Sequence, residues 1–351
     1  MPNPARVFPR RIFISVAAWM VVDVHTHYVP EELIELIDSG HGPSGLAVEH
    51  REGRDPLIVH DNGLRYPALE IFRDVAARLA YMDEQGIDVS VISLVPSLFL
   101  YWIDPSETAA ACRLLNDAAA RMAAQSDGRV AAMAVVPLND PAAAAEELRR
   151  AHGQLGVVGV EIGASVEGTQ LDDPDLDQFF AAAAELRLPV MVHPYVSMIA
   201  PPDAATRGFH LGNVIGNPVE TFIAGCRMLV GGLFDRHPEL RVMLVHGGGA
   251  LPYQIGRLEH AYEVREETSS VARKSPLAYI ENLRFDTAVF DRRALEHLTA
   301  IAGPERVMFG SDLPFDMGDA SALTIRDWAE PETADRILGL NATELFRLSS
   351  T

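Results

Sequence analysis

Lysine is almost missing from this chain of 351 residues: Lys274 is the only one. With 29 Lys and Arg against 49 Asp and Glu, the formal net charge is −20. So acidic a chain excludes nucleic acid as a partner, because binding phosphates calls for clustered cations. Cysteine is scarce as well. Cys112 and Cys226 stand far apart, fit no Cys-x-x-Cys spacing and lie in runs that read as helix, so there is no thiolate metal motif. Two buried free thiols in a reducing, cytoplasmic setting are expected, with one disulfide between them as the alternative. No stretch is long and apolar enough to span a membrane. No Gly-x-Gly-x-x-Gly turn follows the first strand-like run, which counts against an open dinucleotide-binding sheet.

What the chain does have is apolar mass: 48% hydrophobic and 22% charged residues describe a globular protein with a large core. Arg6, Arg10 and Arg11 precede an apolar run from Ile12 to Val22, a superficial match to a signal peptide. No small-x-small cleavage site follows, and the end of that run is needed as a first strand. Residues 1–19 are therefore expected to be a disordered or loosely attached extension, upstream of a start at Met20, with one domain over 20–351. From Phe72 onward, helix and strand alternate. Helix 72–85 leads to strand 89–94, 109–124 to 130–136, 141–152 to 157–162, and 175–186 to 189–193. Helix 217–234 leads to strand 242–246, 251–266 to 283–285, and 292–302 to 307–309. Counting Val21–Val24, eight strand-like runs predict an α/β fold, a (β/α)8 TIM barrel, with a doubly wound open sheet as the runner-up. A small insertion over about 29–71 follows the first strand. In it a short acidic helix, Glu31–Ser39, precedes two apolar patches, Gly45–Val48 and Leu57–Val59, that can pair as a hairpin. An insertion at that place reads as a lid or binding loop.

In such barrels the chemistry sits where the strands end at the C-terminal face. The first strand ends in Asp23-Val24-His25-Thr26-His27-Tyr28, and side chains two apart on a strand share a face. Strand five ends in His193-Pro194, strand six in His246-Gly247-Gly248-Gly249, and strand eight in Gly310-Ser311-Asp312. Five metal-competent side chains at four strand ends would converge on one small volume. Phe99, Tyr101 and Trp102, after strand two, offer either an aromatic wall or a core cap.

These elements resemble the amidohydrolase superfamily. More closely, Asp23–Tyr28, Met82–Asp88, Val192-His193-Pro194, His246–Arg257 and Gly310–Phe315 resemble the branch containing aminocarboxymuconate-semialdehyde decarboxylase. The likeness runs from about Met20 to the C-terminus, and Pro201-Pro202-Asp203 and Arg207–Asn213 depart from it. The resemblance implies His25, His27, His193 and Asp312 as ligands of one divalent metal. His246 is left beside the metal as the catalytic proton carrier, its alternative being a further nitrogen ligand. Binuclear relatives bridge two metals with a carboxylated lysine at the end of strand four, whereas strand four here ends near Glu161 and Lys274 is remote in sequence. Three imidazoles and a carboxylate suit Zn²⁺ best, with Mn²⁺, Fe²⁺ or Co²⁺ also compatible. Arg65 and Arg257 match arginines that bind a substrate carboxylate, Arg257 from a neighbouring subunit, which implies a homodimer. The implied activity is non-oxidative decarboxylation of a small unsaturated or aromatic acid. A metal-dependent hydrolase or hydratase is the alternative.

Overall fold

The computed structural model describes residues 20–196 and 205–348. The 1–19 extension and Pro201-Pro202-Asp203 lie outside the described residues. In chain order the strands are β1 (Val22–Tyr28), β2 (Leu46–Arg51), β3 (Arg54–His60), β4 (Arg65–Pro67), β5 (Val89–Leu94), β6 (Val130–Val135) and β7 (Gly159–Gly163). They continue as β8 (Ser165–Val166), β9 (Thr169–Gln170), β10 (Val190–His193), β11 (Val242–Leu244), β12 (Leu283–Asp286) and β13 (Val307–Met308). Eight of them pair in parallel in the order β1-β5-β6-β7-β10-β11-β12-β13. Val24 N–H donates to the Phe309 carbonyl (2.9 Å) and Asp312 N–H to the His25 carbonyl (2.8 Å), so the last strand returns to the first. This is the (β/α)8 barrel that the alternation predicts. Strands covered on both faces read as continuous apolar runs, and β5 and β10 are buried throughout.

The barrel interior has two storeys. Below, Val22, Val24, Val91, Met133, Met191, Met243 and Met308 form one apolar cluster, closed underneath by Ala342 and Phe346 of the final helix. Above, the histidines gather. Val24 and His25 cannot both face inward on a regular strand, whose side chains alternate. The register of β1 against β5 shifts between Asp23 and Thr26, and this irregularity moves the inward face from the valines to the histidines.

Local chemistry sets the element limits. Asp74 is extended and its side chain accepts from Ala77 N–H (2.7 Å), so the expected helix 72–85 splits into Glu70–Arg73 and Val75–Gln85. The helix Pro105–Ala124 starts earlier than expected because Asp104 caps it. The expected helix 217–234 ends at Val230, before Gly231 and a left-handed Gly232, and resumes over Leu233–Arg236. In the insertion the expected hairpin forms between β2 and β3, Val48 opposite Ile58, and β4 adds a third antiparallel strand. Among the described residues, no helix is long and apolar enough to cross a membrane.

Candidate metal centre and substrate cavity

Buried bonds clamp the upper end of β1. Asp23 accepts from His25 N–H (3.2 Å), Ser311 N–H (3.0 Å) and the Ser311 hydroxyl (2.5 Å), tying the first strand to the last. Burial lifts the Asp23 carboxyl to about 6, against the pull of those bonds. Arg78, buried on helix Val75–Gln85, donates to the His27 carbonyl and to the Thr26 hydroxyl.

Three imidazoles then face one point with the same nitrogen. His25 Nδ1 lies 2.7 Å from Asp286 Oδ2, His27 Nδ1 3.1 Å from the Leu94 carbonyl, and His193 Nδ1 2.7 Å from the Pro194 carbonyl. Carboxylate and carbonyl oxygens accept, so each ring carries its proton on Nδ1 and turns the Nε2 lone pair inward. His25 Nε2 and His27 Nε2 are 3.1 Å apart, and Asp312 Oδ1 lies 3.1 Å from His27 Nε2 and 3.5 Å from His25 Nε2. The ligand atoms of His25, His27, His193 and Asp312 all fall within 4.8 Å of one another, and all four residues are buried. His193 Nε2 is buried with no hydrogen-bond partner among the described residues. Convergent lone pairs, an orphaned imidazole nitrogen and one carboxylate fit a divalent cation, and the four groups form a site for one.

Without a cation, the negative charge gathered here acts on the imidazoles themselves, and a bound cation would take the place of the proton it holds on His25. Burial opposes charge on His25, but Asp312, Asp286 and Glu161 outweigh it and lift the ring to about 9. Burial and the neighbouring imidazoles hold His193 well below the usual histidine range, and burial lowers His27. Burial works against the Asp312 carboxylate too, yet His25, His246 and His27 keep it far below the ordinary carboxylate range. Glu161, midway along β7, accepts from the Ser93 hydroxyl (3.1 Å), and burial pushes it well above that range. A carboxyl side chain therefore stands where a bridging lysine would be needed. Lys274 instead places its ammonium over the Tyr279 ring, 5.7 Å from the centroid.

His246 stands beside this group. Its Nε2 is 3.3 Å from Asp312 Oδ2, on the oxygen that does not face His27. Its backbone is left-handed (φ 54°), followed by three glycines with positive φ. A Cβ on Gly249 would collide with the Pro218 carbonyl, so the tight turn requires glycine there.

A cavity of about 760 Å³ opens above the centre, with His193 and Asp312 in its lining. Its walls include Tyr66, Phe72, Phe315 and Val95, and Phe315 lies 5.3 Å from both His27 and Phe72, centroid to centroid. Arg65, on β4, also lines it and donates to Glu49 (2.9 Å). Phe99 and Tyr101 take their other option: they stack 5.5 Å apart and are buried in the core. Arg257 lies exposed on helix Leu251–Val264 and does not line the cavity of its own chain. Phe315 was read only as the end of the Gly310–Phe315 motif, and three contributors went unread in the sequence: Tyr66, Phe72 and Asp286. Only Asp286 carried a signal, as an acidic residue ending a barrel strand.

A family model described as amidohydrolase matches residues 22–348. The 2-amino-3-carboxymuconate-6-semialdehyde decarboxylase of Dictyostelium discoideum is 31% identical over 333 residues, covering 93% of this chain and 91% of that one. The gamma-resorcylate decarboxylase of Rhizobium radiobacter is 32% identical over 77% of this chain and 86% of its own. The fold is also that of the 5-carboxyvanillate decarboxylase of Novosphingobium aromaticivorans, crystallised with manganese and 4-hydroxy-3-methoxy-5-nitrobenzoic acid. That structure superimposes with a TM-score of 0.77 at 23% identity, over 94% of this chain and 97% of the other. With its model matched from the first barrel strand to the last helix, the chain belongs to the amidohydrolase family, in the branch that includes aminocarboxymuconate-semialdehyde and gamma-resorcylate decarboxylases.

Proposed function

We propose that this protein is a metal-dependent, non-oxidative carboxy-lyase acting on a small aromatic or unsaturated carboxylic acid. One observation carries the reading. A four-residue cation site lies at the floor of an aromatic-walled cavity, with a further imidazole, His246, beside it and outside the ligand set. His25, His27, His193 and Asp312 would hold the cation. Zn²⁺ suits three nitrogens and a carboxylate best, while Mn²⁺, Fe²⁺ and Co²⁺ compete for the same donors. When bound, such a cation polarises substrate oxygens and acidifies water.

The chain's own groups do the rest. Phe72, Phe315 and Tyr66 provide apolar walls for a flat substrate and exclude water. Arg65 turns from Glu49 to a substrate carboxylate, for which its planar fork is suited. When the bond to the departing carboxylate breaks, its electron pair stays on carbon and CO₂ leaves. His246 Nε2 supplies the proton that this carbon needs and recovers one from solvent. Arg257 is assigned to the cavity of a second copy. Tyr253, one helical turn before it, is 78% exposed, and Val219 and Ile223 of a helix packed against the same one are also exposed, apolar surface suited to contact with a second copy. Both cysteines are unbonded and Cys112 is buried, which supports a cytoplasmic setting.

The test is a CO₂-release screen across salicylate-type, resorcylate-type and muconate-type acids, with metal content measured on the same sample. Release of CO₂ in proportion to bound metal is expected. Uptake of water without gas would instead make the enzyme a hydratase or hydrolase.

A further inference from the structure

Asp286 ends β12, is wholly buried, and is neither a cation ligand nor a lining residue of the cavity. Four N–H donors close on its two oxygens. Oδ2 accepts from His25 Nδ1 (2.7 Å) and from the His246 backbone (2.9 Å). Oδ1 accepts from the Gly247 backbone (2.7 Å) and the Ala288 backbone (3.2 Å). A carboxylate has about four lone-pair sites, so every one is engaged. These donors come from three strand ends that are distant in sequence. One is a cation-site imidazole, and two belong to the turn that presents His246.

That turn needs holding. A left-handed backbone is strained for any residue other than glycine, and His246 has one. The amides exposed by this conformation, at 246 and 247, are those that Asp286 takes. At His25 the same carboxylate fixes the ring proton on Nδ1, leaving Nε2 free to face a cation. We propose that Asp286 is a positioning residue serving both halves of the centre: it sets the His25 ring for the cation and locks the His246 turn for proton transfer. The inference rests on the reading of His25 as ligand and His246 as proton carrier. It predicts that metal retention and turnover fail together while substrate binding stays intact.

Asparagine is the discriminating substitution, since it keeps the shape but turns one acceptor oxygen into a donor. Whichever way the amide is placed, two of the four N–H groups lose their acceptor. For Asp286→Asn, chelator competition should show metal affinity lowered by roughly 10–100-fold, and kcat per bound metal should fall by at least about tenfold. KM should stay within about twofold, because no group at the substrate is touched. A carboxylate that only supported the fold would lower Tm and leave metal affinity and kcat per metal unchanged, and that result overturns the proposal. Should the variant not fold, ¹⁵N-histidine spectra of the zinc-loaded wild type decide. A His25 ring protonated at Nδ1 supports the proposal, and one protonated at Nε2 overturns it. A wild-type protein without metal or CO₂ release overturns the functional reading instead, before any variant is made.

Discussion

His246 combines three properties at one residue: a left-handed backbone, a half-buried ring and a carboxylate of the cation site within 3.3 Å. An imidazole can both give and take a proton, so a ring in this place can exchange protons during turnover. Asp312 is shared between the two roles, turning Oδ1 to His27 and Oδ2 to His246. Replacing His246 removes the proton carrier and leaves His25, His27, His193 and Asp312 in place. His246→Gln should therefore keep its full metal content by elemental analysis. Its kcat should fall by about 10²–10⁴-fold, the usual worth of a general acid–base group. Loss of metal in this variant would show that His246 is a ligand instead.

At the scale of elements, the insertion sheet that bears Arg65 also hides a pH-sensitive group. His60 ends β3, is buried 5.9 Å from Tyr66 and 6.0 Å from Trp102 (ring centroids), and its Nε2 has no hydrogen-bond partner among the described residues. Burial presses its ring down to about 4, Asp61 pulling weakly the other way. Unfolded histidine titrates near ~6.5, so between the two values the unfolded chain binds the proton more readily than the fold does. The stability at stake is present above pH ~6.5 and lost as the pH falls through ~4, by up to about 3 kcal/mol. His60→Phe should lose less stability than wild type when urea midpoints at pH 7.5 and pH 4.5 are compared. Equal losses would remove His60 as the cause. Elements also show what a sequence can and cannot reveal. Strands such as β5 and β10 were legible because burial on both faces favours runs dominated by apolar residues, interrupted in β5 only by the small Ser90 and Ser93, and the ligands because they close such runs. The three-residue β4 and the two-residue β8 and β9 are too short to carry any alternation. The irregularity in β1 leaves no compositional trace, and Phe72 and Phe315 meet only through the barrel's closure. Asp286 stands alone after Phe285, with no neighbouring motif to mark it.

For the whole molecule, the formal charge of −20 sets the terms of assembly, since two copies repel unless an apolar face or a cation draws them together. In the proposed dimer the exposed Tyr253, Val219 and Ile223 would supply the first, and Arg257 on the same helix as Tyr253 the second. Because Arg257 does not line its own chain's cavity, an effect of its loss on substrate binding would point to a cavity shared across a two-fold interface. Arg257→Ala alone should raise KM with little change in metal content. Mixing it with His246→Gln separates the geometries. In a heterodimer, the subunit that keeps His246 receives an intact Arg257 from its neighbour, so one of the two cavities is complete. Assayed with substrate well below the KM of Arg257→Ala, so that this parent contributes little, the randomly exchanged mixture should recover about a quarter of wild-type activity, far above the sum of the two parents. If Arg257 served its own subunit, every cavity in every heterodimer would lack one group or the other, and mixing would restore nothing.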